Sequence, residues 1–151
     1  MPFTLVLPDG IQYVGLAFVS TIWLQIGQAV LVMSARKTAG IAYPRLYAEK
    51  AEEEASFLAR KFNCTQRAHQ NTLEQLPAIY TATVLSALKY PVFAASALGL
   101  WVIGRILYTS GYMTGEPQKR NTRGGFIGSL CTFALTCTGT YSIISLALAA
   151  A

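Results

Sequence analysis

Charged residues are scarce in this sequence. Of its 151 residues, 13% are Asp, Glu, Lys or Arg, whereas an ordinary soluble domain carries about 25%. Hydrophobic residues make up 53% of the chain, so few polar side chains remain to cover a water-soluble globule. The same composition excludes intrinsic disorder, which requires low hydrophobicity and high charge. These proportions indicate a membrane protein.

The residues that build metal sites and catalytic triads are also few. The chain has one histidine, one aspartate and three cysteines, and no two cysteines have C-x-x-C spacing. We therefore expect no structural zinc site and no Ser-His-Asp triad. No P-loop and no G-x-G-x-x-G motif occurs either, so we expect a protein that works without a bound metal.

Two long stretches contain no charged residue. They cover 26 residues between Asp9 and Arg36 and 28 residues from Gly124 onward, and each exceeds the roughly 20 residues that a membrane-spanning helix needs. Two shorter uncharged runs lie between them and reach that length with their flanking residues. We predict an all-α integral membrane four-helix bundle, forming one domain over 1–151. The predicted spans are approximately 10–34, 68–88, 91–113 and 124–148.

Basic residues concentrate in two of the three predicted connections. Seven Lys and Arg residues lie in 35–67 and three in 114–123, whereas the middle connection has Lys89 alone. The positive-inside rule therefore places the first and third connections in the cytosol, with both termini on the other side. The net charge of +5 gathers at one membrane face without interleaved exposed aromatics, so we expect no nucleic-acid partner.

Two predicted spans carry polar side chains at helical spacing. In the second span, one face holds Arg67, Asn71 and Glu74. In the third span, one face holds Arg105, Tyr108 and Tyr112. An unpaired charge at membrane depth costs at least about 2.5–3.5 kcal/mol. We therefore expect Glu74 to pair with Arg105 across the two helices, and both stripes to line one cleft.

These stripes have a structural and a functional interpretation. Polar pairs hold membrane helices together, often for less than about 1 kcal/mol each. Five further bases lie at the face toward which the stripes extend: Arg36, Lys37, Lys119, Arg120 and Arg123. Helix association does not require that many cations, whereas a small anionic ligand entering from the cytosol does. The pattern favours a ligand site.

Two segments resemble a known family. Residues 62–77 read FNCTQRAHQNTLEQLP and residues 104–120 read GRILYTSGYMTGEPQKR. The first contains R-x-x-x-N-x-x-E-x-x-P, and the second contains R-x-x-Y-x-x-x-Y followed by a basic tip. Together with four predicted spans, they resemble the membrane-associated proteins in eicosanoid and glutathione metabolism, over nearly the whole chain. The resemblance implies a homotrimer that binds glutathione between neighbouring subunits near the cytosolic face.

The resemblance also implies roles for individual residues. It assigns Arg36 and Lys37 to a basic pair supplied by the adjacent subunit, and Arg120 to the activation of the glutathione thiol. Lys119 is the alternative activator, but the permanently charged, bidentate guanidinium favours Arg120. The implied glutathione-binding residues are Arg36, Lys37, Arg67, His69, Asn71, Glu74, Arg105, Tyr108 and Tyr112.

The implied function is that of a glutathione transferase in the endoplasmic reticulum, with the outer mitochondrial membrane as the alternative. Such an enzyme conjugates glutathione to lipophilic electrophiles from the bilayer or reduces lipid hydroperoxides. Two other interpretations stay open. One is a non-catalytic lipid-presenting protein of the five-lipoxygenase-activating type, and the other is a structural protein whose basic rim binds anionic membrane lipids.

Overall fold

The computed structural model describes residues 7–150, which form α-helices and no strand. The helices are α1 (Ile11–Ala39), α2 (Lys50–Ala55), α3 (Phe57–Ala87), α4 (Pro91–Tyr112) and α5 (Phe126–Ala150). A π-helical turn, Asn121–Gly125, leads into α5. The all-α prediction is confirmed for this part of the chain.

Two helices extend beyond the spans expected from the sequence. Helix α1 continues to Ala39 rather than ending near 34, and stops where Gly40 adopts φ 69° and caps the carbonyls of the last turn. Helix α3 begins at Phe57 rather than near 68, after Ser56 accepts a hydrogen bond from the Ala59 amide. The charged first turns of α3 are helical although they precede its apolar stretch. Hydropathy marks the segment that can lie in the membrane, not the residue at which the helix begins.

Helices α3 and α4 form the centre of the bundle. Each packs against both α1 and α5, and α1 and α5 do not touch each other. The α4–α5 interface depends on glycine, since a Cβ on Gly104 would lie 2.5 Å from the Gly128 backbone nitrogen. Trp101 and Leu98 of α4 and Leu135 of α5 are fully buried in this core.

The outer surface of the bundle is apolar. Large side chains such as Leu16, Trp23, Phe133 and Leu148 are exposed, far beyond what a soluble monomer shows. By length and composition, α1, α4 and the segment Asn121–Ala150 can each cross a membrane. These three candidates support an integral membrane protein. Helix α3 is not among them, because polar residues such as Asn71, Glu74 and Gln75 lower its mean hydropathy, so the fourth span stays a prediction.

The connection between α1 and α3 folds back onto α3. Asn63 exchanges two hydrogen bonds with the Ala48 backbone, at 2.8 and 3.1 Å. Helix α2 starts with a capping box between Glu49 and Glu52. The Glu49 amide and the Arg45 guanidinium both donate to the Glu52 carboxylate, which holds the pKa of Glu52 below its usual value. The connection is therefore ordered by its own polar contacts.

Candidate functional site

The two tyrosines of α4 lie between two guanidinium groups. The rings of Tyr108 and Tyr112 meet edge to face, with centroids 5.3 Å apart. Arg105 Cζ lies 4.0 Å from the Tyr108 ring centroid, and Arg120 Cζ lies 5.4 Å from the Tyr112 centroid. Arg120 Nη1 also donates to the Tyr112 hydroxyl at 3.3 Å. The predicted α4 stripe therefore shares one face, and Arg120 extends it.

Glycines bring Arg120 to this position. A Cβ on Gly111 would collide with the backbone of Lys119, and a Cβ on Gly125 would collide with the carbonyl of Arg120. The segment after α4 can therefore lie directly against that helix. The neighbouring Lys119 turns away, since its Nζ forms an ion pair with Glu116 at 2.7 Å. Of the two candidate activators, only Arg120 contacts the tyrosines.

The polar stripe of α3 carries an ion pair within the helix. Arg67 Nη1 lies 3.0 Å from Glu74 Oε1, and both side chains are about half exposed, at 45% and 46%. The predicted pair between Glu74 and Arg105 is therefore wrong. Glu74 lies on the outer side of α3 with Arg67, whereas Arg105 reaches the inner side of that helix.

Arg105 is buried without a carboxylate partner. Only 3% of its surface is exposed. Its Nε and Nη2 donate to Thr72 Oγ1 at 3.0 and 2.9 Å, and Nη2 also donates to Asn71 Oδ1 at 3.1 Å. None of the ion pairs among residues 7–150 includes Arg105. Neutral acceptors thus orient the cation but leave its charge uncompensated, which favours an anion nearby.

Three further polar residues, Gln28, Thr72 and Thr109, form a hydrogen-bonded cluster with Arg105, and the sequence analysis missed them. Gln28 Nε2 donates to Thr72 Oγ1 at 2.9 Å and to Thr109 Oγ1 at 2.8 Å. We call Gln28, Thr72, Arg105 and Thr109 the Thr72 network, which joins α1, α3 and α4. The available signal was Gln28 itself, an amide within a long uncharged stretch. Thr72 gave no signal in the sequence, because it lies off the helix face shared by Arg67, Asn71 and Glu74.

Arg36 contacts its own chain rather than the stripes. Its Nη1 donates to the Arg45 carbonyl at 2.6 Å and to the Ile41 carbonyl at 3.4 Å. The rings of Tyr43 and Phe62 lie against its guanidinium, with centroids 4.4 and 4.6 Å away. In a single chain, Arg36 therefore fastens the connection after α1 to the helices.

Two other predicted residues are also separate from the stripes. Lys37 is exposed at the end of α1, and His69 is half-buried on α3. Neither side chain forms a hydrogen bond to Arg67, Tyr108 or Arg120 in residues 7–150. The structure thus joins Asn71 of α3 to Arg105 of α4 and brings Arg120 to the tyrosines, and it leaves the α1 pair and His69 apart.

The assembled groups suit a small, charged organic ligand. The guanidinium groups of Arg105 and Arg120 beside two phenols favour carboxylates or a thiolate, and the Glu74 carboxylate favours an ammonium group. Across the described part of the chain, no three His, Cys, Asp or Glu side chains form a metal-binding group.

Comparison with known protein families supports the resemblance described above. Residues 13–141 match the family described as the MAPEG family. This match covers both polar stripes and Arg120. The family includes glutathione transferases and leukotriene-related members, and also members without catalytic activity.

Proposed function

The chain belongs to the MAPEG family, and from that premise we propose that it is a membrane-bound glutathione transferase resembling microsomal glutathione S-transferase type 3. It activates glutathione as a thiolate, and the acceptor is a lipophilic electrophile or a lipid hydroperoxide from the bilayer. One observation carries the proposal. Arg105 and Arg120 flank Tyr108 and Tyr112, and no carboxylate within residues 7–150 forms an ion pair with Arg105.

The Arg67–Glu74 ion pair is the proposed site for the charged ends of glutathione. Each end of this zwitterionic pair matches a group of the ligand, since Arg67 can take a carboxylate and Glu74 the amine. Glutathione would then replace one internal ion pair with two intermolecular ones. Arg36 and Lys37 of a neighbouring subunit and His69 would add further contacts, while Asn71 and the tyrosines line the pocket.

Arg120 is the proposed activator of the thiol. At the cysteine-like pKa of about 8.5, only a few per cent of glutathione is thiolate at neutral pH. A fixed cation beside the sulfur that lowers this pKa by roughly two units stabilises the thiolate by about 2.7 kcal/mol. The hydrogen bond from Arg120 to Tyr112 keeps the guanidinium at the tyrosine face where the sulfur would lie.

The thiolate then reacts in one of two ways. With an electrophilic carbon, the S–C bond forms while the bond to the leaving group or epoxide oxygen breaks, and that oxygen takes a proton. With a hydroperoxide, sulfur attacks the terminal oxygen, the O–O bond breaks and the alkoxide is protonated to the alcohol. A second glutathione converts the resulting sulfenic acid to glutathione disulfide and water. Both routes need only glutathione and the lipid.

A difference spectrum tests this proposal directly. A thiolate absorbs at about 240 nm and a protonated thiol does not, so the detergent-solubilised protein is titrated with glutathione at neutral pH. We expect a saturable rise that disappears with Arg120→Ala and persists with the matched control Lys119→Ala. Glutathione affinity at pH 7, measured by calorimetry, should fall only about fourfold with Arg120→Ala, because linkage carries only part of a two-unit shift in the thiol pKa into binding at that pH, and it should not change with Lys119→Ala.

The other outcomes also discriminate. Equal loss of affinity and absorbance with Arg120→Ala would make Arg120 a binding residue and contradict its proposed role. Absence of any glutathione binding would contradict the transferase and favour the lipid-presenting protein or the structural membrane protein. We also propose a homotrimer, with α3 as a fourth span and location in the endoplasmic reticulum. The basic residues of the two connections support a cytosolic site.

A further inference from the structure

The connection between α1 and α3 is held on both sides of Tyr47. Arg36 donates to the carbonyl two residues before Tyr47 at 2.6 Å. Asn63 exchanges hydrogen bonds with the backbone of the residue that follows Tyr47, at 2.8 and 3.1 Å. The Tyr47 side chain reaches α3 from this fixed position, and its hydroxyl donates to Oε1 of Gln70. A phenol outside both polar stripes is thereby attached to the helix that carries the Arg67–Glu74 ion pair.

Gln70 lies beside that ion pair. It is three residues after Arg67 and four before Glu74, so its side chain is a neighbour of both on the surface of α3. At about 100° per residue, Gln70 lies on one side of the pair and Asn71 on the other. Asn71 Oδ1 accepts a hydrogen bond from Arg105, which places Asn71 on the side facing α4. Gln70 therefore borders the ion pair on the side facing the connection.

The hydrogen bond from Tyr47 leaves the donor end of the Gln70 amide free. A side-chain amide has an acceptor oxygen and an NH₂ group with two protons. The oxygen is engaged by Tyr47, and Nε2 forms no hydrogen bond with any residue in 7–150. Tyr47 thus determines which end of the amide is available to a ligand. The available end is a donor, so it attracts a carboxylate and not an ammonium group.

The ion pair itself indicates which part of glutathione it receives. Arg67 Nη1 and Glu74 Oε1 are 3.0 Å apart, so a ligand that replaces this contact must offer an anion and a cation close together. An α-amino acid group does so, because its carboxylate and its ammonium share one carbon atom. The γ-glutamyl end of glutathione carries both groups, whereas the glycine end carries a carboxylate alone. The pair therefore suits the γ-glutamyl end.

We propose that Gln70 Nε2 is a second donor to the α-carboxylate of the γ-glutamyl end, and that Tyr47 is the positioning residue that turns the amide toward it. Arg67 and Gln70 take one carboxylate oxygen each, and Glu74 takes the ammonium group. The ligand class is a thiol that carries a γ-linked α-amino acid. This inference rests on the proposed transferase function, because it takes glutathione as the ligand.

A glutathione analogue that lacks one group tests the role of Gln70. The analogue, 4-aminobutyryl-cysteinyl-glycine, has no α-carboxylate, and calorimetry measures its affinity and that of glutathione for the full-length protein in detergent. Gln70→Met keeps the length of the side chain and removes the NH₂ group. We expect it to weaken glutathione about three- to tenfold, as one hydrogen bond allows, and to leave the analogue unchanged.

Gln70→Glu tests which end of the amide faces the ligand. The carboxylate keeps an acceptor for the Tyr47 hydroxyl but presents only oxygen atoms to the ligand. It should therefore weaken glutathione by about tenfold or more, since a like charge then faces the α-carboxylate. The loss for the analogue should be far smaller. Tighter binding of glutathione would instead show that the amide oxygen faces an ammonium group, which would overturn the proposal.

The positioning role of Tyr47 has a matched control in the same connection. Tyr43 also contacts Arg36, through its ring at 4.4 Å, and its hydroxyl forms no hydrogen bond within residues 7–150. Tyr47→Phe should raise the KM for glutathione about two- to threefold with kcat unchanged, less than loss of the NH₂ group itself. It should have no further effect in the Gln70→Met background, because the two residues act as a unit. Tyr43→Phe should leave KM unchanged.

The outcomes separate this inference from the transferase proposal. If the wild type binds glutathione and Gln70→Met binds it equally well, Gln70 is not a ligand contact and the inference alone fails. Equal losses for glutathione and the analogue would also overturn it, because the effect would not pass through the α-carboxylate. Absence of glutathione binding by the wild type would contradict both proposals. Tyr47→Phe keeps its ring, so it decides if a Gln70 variant does not fold.

Discussion

At the residue scale, Thr72 is the hydrogen-bond acceptor on which the Thr72 network depends. Its single oxygen receives donors from Gln28 of α1 and from Arg105 of α4. It thereby joins three helices at a depth where water cannot substitute for a lost partner. Deleting this oxygen leaves a buried cation and a buried amide each short of an acceptor. Leaving a buried donor without an acceptor costs more free energy than the hydrogen bond contributed to stability.

Replacing Thr72 with valine should therefore destabilise the protein by about 1–3 kcal/mol, the cost of leaving buried donors unsatisfied. The side-chain shape is kept, so the effect reports on the hydroxyl. Thermal unfolding in detergent, followed by circular dichroism, measures it. Thr136→Val is the matched control, because Thr136 is exposed on α5 and bonds only to the Thr132 carbonyl of its own helix. Equal melting temperatures for the two variants would refute a special role for Thr72.

Helical spacing predicts which side chains share a face, but it does not predict their partners. It placed Arg67 with Glu74, and Tyr108 with Tyr112, and the structure agrees. It also suggested that Glu74 meets Arg105, which the structure contradicts. The face that α3 turns toward α4 depends on how the whole bundle packs. A threonine two positions before Glu74 proved to be the partner, and nothing in the local pattern distinguishes it.

At the element scale, the connection from α4 to α5 determines where Arg120 lies. Gly111 and Gly125 approach the backbone of this connection so closely that neither tolerates a Cβ without movement. Overpacking of this kind typically costs about 1–3 kcal/mol or moves the backbone. Any such movement would take Arg120 away from Tyr112. The position of Arg120, the proposed activator, thus depends on the absence of a side chain at Gly111 and Gly125.

Gly111→Ala should consequently reduce thiolate formation while leaving the helices intact. We expect the glutathione difference absorbance at neutral pH to fall toward that of Arg120→Ala, with helical circular dichroism unchanged. Gly99→Ala provides the control, since Gly99 lies in the same helix and a Cβ there meets no atom within 4 Å. It should keep full absorbance and gain slightly in stability, as alanine favours helix over glycine. Wild-type absorbance in Gly111→Ala would show that the connection does not control Arg120.

Helix ends were harder to predict from the sequence than helix positions. The uncharged stretches located α1, α4 and α5 because membrane helices are long and apolar. Helix α3 begins well before its apolar part, at a serine cap within a charged segment. Hydropathy does not register such an extension. The cap at Ser56 is a local signal that only becomes informative once the charged residues after it are read as helical.

At the scale of the whole molecule, the half-exposed Arg67–Glu74 pair argues for assembly. Both side chains lie on an outer face of a helix that we propose spans the membrane. Glu74 lies within the first two turns of the predicted span 68–88, where a charged group that faces lipid is costly, so that face requires a cover. Neighbouring copies of the chain in a homotrimer provide one. The role of Arg36 toward a neighbouring subunit stays a prediction.

Mixed oligomers test that role. If the adjacent subunit supplies Arg36, each site combines Arg36 of one chain with Arg120 of the next. Chains carrying Arg36→Gln and chains carrying Arg120→Ala, inactive alone, should then regain part of the glutathione transferase activity when co-expressed with two different tags and purified through both. Glutamine keeps amide donors for the carbonyls of Ile41 and Arg45, so the connection after α1 should still fold. If both arginines act within one chain, no mixed oligomer contains an intact site, and activity stays at the level of the separate variants. Cross-linking of the same preparation should give three chains per particle, and a different number would contradict the proposed trimer.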